Sequence, residues 1–243
     1  MNTAVITLAA PVAAAFPEAE IRLVVVSGLD NTEPWPEAGQ VRAEAEAAVA
    51  AGTISADPAV NKSVASWQEA YRAFGTNPKR SRPSVDALLR RVTRSGVLPR
   101  ISPAVDAYNA VSVLSSLPAG AFDLDRVRGD VEIRLAGDRD RFEPLGEPGE
   151  WEDTRPGEVV YADADSVLTR HWNHRDCHRT MLRPDSRNAV FILERASGAV
   201  PSERLDRAVA RLAAILAAHA DAMRTFVLSP GRPTAELTSV AAS

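Results

Sequence analysis

Apolar residues recur at helical spacing in the first half of this chain and in strand-like runs in the second. Ile21 to Ser27, IRLVVVS, is a short β-branched run ended by Gly28, the pattern of a buried strand. Residues 36–51 are rich in Ala and Glu and stop at Gly52, which suits a helix with a glycine end. From Pro58 to Phe74, Val60, Val64, Trp67, Ala70, Tyr71 and Phe74 form a stripe at three- and four-residue spacing, the core face of a second helix. The segment GTNPKRSRPS reads as a loop because Pro78 and Pro83 prevent helix continuation. Ser84 is positioned to cap a third helix that stops at Gly96, and a fourth follows Pro103 and ends before Pro118.

Beyond that point the period changes. Val131 to Leu135 alternates, while Glu158 to Ala162 and Ala189 to Glu194 are apolar runs; these three are expected to share one sheet. A last helix is expected from Glu203 to about Met223, with Leu205, Val209, Leu212, Ile215 and Leu216 on one face. The segregation of helices from strands points to an α+β fold, helices packed on a mixed β-sheet. Residues 1–230 read as a single domain and residues 231–243 as a flexible tail.

Composition adds bounds to this picture. A chain of 243 residues with 45% apolar side chains can build a substantial core, and a net charge of -4 argues weakly against a nucleic-acid partner. The charge is uneven, however. Between Lys62 and Arg100 the cations include Lys79, Arg80, Arg82, Arg90, Arg91 and Arg94, against only Glu69 and Asp86. The single cysteine, Cys177, allows no internal disulfide and suits a reducing compartment. The apolar opening lacks a preceding positive charge, and no stretch is long enough to span a membrane, so a cytoplasmic location with no membrane partner is expected.

The ordered motifs SVDALLRRV, SGVLPRIS, VDAYNAVS, AFDLDRVRGD, VEIRLA, GEVVYAD and FILERA run from about Asn77 to Ala196. Together they resemble the B3/B4 domain of the bacterial phenylalanyl-tRNA synthetase beta subunit, here as a free-standing module. That resemblance implies an editing function: in the synthetase the domain hydrolyses tyrosine wrongly attached to the phenylalanine tRNA. It also implies a role for Glu194, which looks like the glutamate that recognises the tyrosine hydroxyl. Two departures bear on the substrate. Gly120 stands where the synthetase pattern has a histidine before its Ala-Phe-Asp, which leaves room for a larger or differently shaped group. TRHWNHRDCHRT replaces a glycine-rich turn. The expected substrate pocket therefore comprises Glu194, Asn173, Trp172, Gly120 and Asn109, with Trp172 as a stacking plane and Asn173 as a polar handle.

Blander readings stand beside these. Glu194, within an apolar strand, needs a partner, and an ion pair with Arg170 or Arg175 would supply one. His171, His174, Cys177 and His178 are zinc-compatible ligands, but no second ligand cluster accompanies them, so no metal is expected. No nucleophile elbow, phosphate loop or dinucleotide fingerprint occurs, so no cofactor and no triad are expected and no catalytic residue is assigned. Asp106 and Asn109 read as scaffold that fixes the turn after Pro118. Lys79, Arg80, Arg82, Arg90 and Arg94 are the candidate RNA-binding residues; alternatively they form a solvated face paired with the acidic stretch Glu143 to Glu158.

The reading these features favour is a tRNA-binding protein, a trans-acting hydrolase that deacylates mischarged aminoacyl-tRNA, a Tyr-tRNAPhe-like substrate included. The alternatives are a non-catalytic tRNA- or amino-acid-binding module and a small-molecule hydrolase or sensor without RNA. Which amino acid, which tRNA and which oligomeric state remain open at this level.

Overall fold

The computed structural model describes residues 3–238. In chain order its strands are β1 (Thr3–Leu8), β2 (Glu20–Ser27), β3 (Ala119–Asp123), β4 (Val131–Leu135), β5 (Arg141–Phe142), β6 (Glu152–Asp153), β7 (Val159–Ala162), β8 (Val167–Arg170), β9 (Arg175–Asp176), β10 (Ala189–Arg195), β11 (Ala222–Leu228) and β12 (Thr234–Thr238). The helices are α1 (Ala10–Ala15), α2 (Pro36–Ala50), α3 (Lys62–Ala73), α4 (Ser84–Ser95), α5 (Pro103–Ser115) and α6 (Ser202–Leu216). The class is α+β, as the periodicity implies.

The strands divide between two sheets, which corrects the expectation of one. Strands β4 and β7 pair in the larger sheet, ordered β12-β1-β4-β7-β8-β5-β6 with β9 on β8, whereas β10 lies in a four-stranded sheet ordered β11-β2-β10-β3. The smaller sheet is antiparallel throughout; the larger is mixed, with parallel pairs β1–β4 and β5–β8. Side chains connect the two sheets directly: the rings of Phe122 on β3 and Tyr161 on β7 meet edge to face at 5.7 Å. Strand β10 is buried from Ala189 to Glu194 because helices α5 and α6 pack on the small sheet. A strand covered on both faces has no solvent side to encode, hence its continuous apolar run.

Local chemistry sets the helix limits. Asn61 caps α3 by accepting from the amides of Ser63 at 3.1 Å and Val64 at 3.3 Å. That helix buries Val64, Trp67, Ala70 and Tyr71, while the expected start at Pro58 is a turn and Val60 is exposed. Gly96 closes α4 in the left-handed conformation. Gly28 ends β2 at φ +67°, and a Cβ there would collide with the side chain of Asp221.

Two expectations about the C-terminal part need correction. Helix α6 stops at Leu216, and Met223 belongs to β11, which completes the small sheet by pairing with β2. Of the supposed tail 231–243, residues 234–238 form β12, antiparallel to β1; residues 239–243 lie outside the described part. The role foreseen for Asp106 also differs. Its carboxylate accepts from the Ile101 amide at 2.8 Å before α5, and the turn at Pro118 is held instead by Ser112 Oγ donating to the Leu117 carbonyl at 2.6 Å. No helix among the described residues is long and apolar enough to cross a membrane.

A buried ion pair braces the larger sheet beside the site. Glu158, fully buried before β7, accepts from Arg170 Nε at 2.9 Å and Nη2 at 3.1 Å, a bidentate bond across to the end of β8. Removing the guanidinium would strand a buried carboxylate. Arg170→Ala is therefore expected to destabilise the protein by about 3 kcal/mol, measured by urea unfolding; a change under about 1 kcal/mol, the level of an exposed pair, would show that solvent reaches Glu158.

Candidate functional site

Glu194 projects from β10 toward the larger sheet, and its carboxylate has three donors, none of them charged. Tyr161 donates its hydroxyl to Oε1, Trp172 donates Nε1 to Oε1 at 2.9 Å, and Asn173 donates Nδ2 to Oε2 at 2.9 Å. The arginine pair considered from the sequence is absent: Arg170 binds Glu158 and Glu152, and Arg175 binds Glu147 and Glu152. Burial without a counter-charge pushes the Glu194 carboxyl up to about 7, against the lowering effect of its three hydrogen bonds.

Two of those donors come from one strained turn. Residues 171–174 connect β8 to β9, and His171 and Trp172 are left-handed at φ 46° and 69°. Side chains at such angles are costly and persist only where surroundings over-determine them. Here each residue is tied down. His171 Nδ1 lies 3.0 Å from Glu158 Oε2 and 3.0 Å from Thr76 Oγ1. Burial and Arg170 lower the pKa of its ring to about 3, so the contact with Glu158 is not a charged pair. Trp172 is fully buried, edge-on to Phe16 at 4.8 Å and to Trp67 at 5.2 Å. It thus serves as a core residue with an inward N–H, not as the open stacking plane expected. Asn173 Oδ1 accepts from Tyr71 at 2.8 Å, which fixes the amide so that Nδ2 faces Glu194.

Glu194, the neighbours Trp172 and Asn173, and Gly120 come from three separate stretches of the sequence and line one cavity of about 60 Å³, together with Tyr161, Thr169, His174, Asp176 and Ser84. Asn109, the fifth residue expected there, is buried on α5 and is not among the lining residues. Asp176 was not anticipated. Thr169 Oγ1 donates to its Oδ1 at 2.7 Å, and desolvation pushes the carboxyl up to about 6. The signal that would have found it is three-dimensional: Asp176 pairs across β8–β9 with Thr169, which itself pairs with Tyr161. A far wider groove of about 1040 Å³ lies at α6, remote from this chemistry and lined in part by Lys62, Arg204 and Arg207.

The histidine–cysteine cluster disperses. His174 Nδ1 donates to the Arg82 carbonyl at 2.7 Å, which fixes its tautomer and leaves Nε2 as an acceptor. Cys177 is buried against Thr180, and burial raises its pKa, which disfavours the thiolate. Among the described residues no three His, Cys, Asp or Glu side chains form a metal-holding group.

The basic segment adjoins the cavity. The amide of Ser84, a lining residue, donates to the Asn173 carbonyl at 3.1 Å, and the Arg82 carbonyl accepts from His174, so the end of the segment touches the cavity. Of the five expected RNA-binding residues, Arg90 and Arg82 lie 2.6 and 3.7 Å from buried Asp86. Lys79, Arg80 and Arg94 are exposed and have no ion pair among the described residues. The acidic stretch does not neutralise them, since Glu147, Glu152 and Glu158 bind Arg170 and Arg175; Arg155, from that stretch, reaches the Gly75 carbonyl.

Residues 66–220 match the model of the B3/4 domain family, and the chain belongs to that family. A solved N-terminal fragment of the phenylalanyl-tRNA synthetase beta-subunit from Pyrococcus horikoshii aligns at a TM-score of 0.47 and 13% identity, covering 90% of this chain and 49% of that one. The chain thus spans about half the length of that fragment. No curated protein matches it.

Glu194 makes stability depend on pH. Its carboxyl keeps a proton in the folded state up to about 7, while in the unfolded chain it ionises from 4.5. The folded state then binds the extra proton, so stability falls as pH rises through this window and levels off above it. Glu194→Gln removes that slope. Relative to the variant, the wild type is expected to lose about 3 kcal/mol between roughly pH 4.5 and 8; parallel urea-unfolding profiles for the two proteins would contradict the assignment.

Proposed function

We propose that this protein binds tRNA and hydrolyses the aminoacyl ester at its 3′ end, with the Glu194 cavity reading the amino acid. The observation that carries the reading is the carboxylate of Glu194, buried at the cavity with neutral donors only and so still able to accept from a substrate. Family membership gives that cavity its context. The exposed cations Lys79, Arg80 and Arg94 on the adjacent segment would hold phosphates, which give affinity without sequence choice.

An aminoacyl ester is already activated, so hydrolysis needs a positioned water more than a nucleophile. His174 can orient that water: its Nδ1–H is tied to Arg82, leaving Nε2 to accept a proton, and burial keeps the ring neutral by lowering its pKa. Cys177 plays no part in this scheme, since its thiol is buried and held protonated. A second reading is a binding module without hydrolysis. It is favoured by Gly120, which stands where the resembling synthetase pattern carries a histidine.

Deacylation of a panel of mischarged tRNAs separates the two. Wild type should release one or a few amino acids preferentially, and Glu194→Ala should narrow that selectivity by roughly 1–3 kcal/mol, the cost of an unpaired buried donor. Retention of charged tRNA with no release at any amino acid would leave the binding module. For the RNA contacts, Lys79→Ala combined with Arg80→Ala should weaken tRNA binding whatever the tRNA and reduce the salt slope by about one unit per lost contact. Unchanged affinity and slope in a filter-binding titration would remove this segment from the interface.

A further inference from the structure

Gly120 leaves a notch in β3, and a carboxyl group faces it. A Cβ built on Gly120 would stand 3.7 Å from Asp176 Oδ2. The room left by the missing side chain is therefore not simply extra volume for a larger substrate. It is space in front of an acceptor. Asp176 Oδ1 is engaged by Thr169, whereas Oδ2 has no donor among the described residues.

The rest of the lining supplies acceptors and little positive charge. Glu194 Oε1 takes two donors, but Oε2 takes only Asn173 and retains a second acceptor position. Arg175 also lines the cavity, but its guanidinium is directed to Glu147 at 2.6 Å and to the Leu145 carbonyl. His174 is kept neutral. Ser84 Oγ, another lining group, is buried and has no hydrogen-bond partner among the described residues. Two carboxyl groups thus share a small desolvated space in which, among the described residues, no cation is directed at them.

We propose that the cavity is a site for a small primary ammonium group, with Asp176 Oδ2 as the specificity-determining acceptor and Glu194 Oε2 as the second. An ammonium brings three donors and the missing positive charge together. A hydroxyl brings one donor and no charge. The inference deepens the proposed function, on which its biological form rests: there, the ammonium is carried by the aminoacyl group of the ester. The cavity, about 60 Å³, is smaller than the roughly 150 Å³ of a closed cavity that admits benzene, so a small amine is the probe to try first.

The test uses the full chain and two small probes, L-serinamide and its des-amino analogue 3-hydroxypropanamide, titrated by calorimetry or ligand-observed NMR. Wild type is expected to bind L-serinamide at least about ten-fold more tightly, the scale of a lost charge-assisted hydrogen bond. Asp176→Asn, nearly isosteric, should bring the two probes close to equal. Gly120→Ala is a second variant that the fold accommodates, because its methyl would make ordinary contact with Asp176; it should weaken L-serinamide binding by crowding the same space. Equal binding of both probes by wild type, no binding of L-serinamide, or a preference that survives Asp176→Asn would each overturn the inference. Deacylation and tRNA retention are read separately. An amine preference without any action on charged tRNA keeps the ammonium site and removes the editing reading, and the converse result does the opposite.

Discussion

The site depends on one buried carboxylate that is hydrogen-bonded yet uncompensated in charge. Burying an unpaired charge costs far more than burying a hydrogen-bonded neutral group, and proteins usually answer with an arginine or lysine. Around Glu194 the answer is three neutral donors from three directions. Each is held by something further out. Tyr161 sits in the larger sheet, Trp172 is wedged among Phe16 and Trp67, and Asn173 is oriented by Tyr71. The geometry of α3, of the β8–β9 turn and of the sheet-to-sheet contact therefore all converge on the same two oxygens.

Much of this was legible in the residues, and the part that was not has a common cause. The helices α2 to α5 and the strands β2, β4, β7 and β10 follow from local period and from glycine or proline stops. Those signals act within a few residues. Which sheet a strand joins is settled by partners far away in sequence, and an apolar run such as AVFIL at the start of β10 fits the middle of any sheet. Composition places the first two residues of β11, Ala222 and Met223, in the preceding helix, because they continue a helix-compatible run after Leu216. What stops the helix is tertiary pairing of residues 222–228 with β2.

The same limit applies to the site. Glu194 stands out in one dimension because a charge inside an apolar strand conflicts with its surroundings. Asp176 does not, because it lies in a polar segment, HWNHRDCH, where an aspartate is unremarkable. Its place in the cavity comes from register: Asp176 pairs with Thr169, and Thr169 with Tyr161. Trp172 shows the opposite error. An aromatic among histidines and asparagine looks like an exposed contact, but the left-handed turn rotates it into the core and leaves only its N–H to the site.

That turn carries a cost of its own. Glycine enters left-handed conformations without penalty, but the left-handed positions here are His171 and Trp172. Each must meet a backbone cost of order 1–3 kcal/mol. The return lies in contacts glycine cannot make: His171 with Glu158 and Thr76, and Trp172 with two aromatic rings and Glu194. Those contacts tie the turn to α3, to Glu158 and to the small sheet, and with Asp176 facing Gly120 they set the size of the cavity and the acceptors it presents.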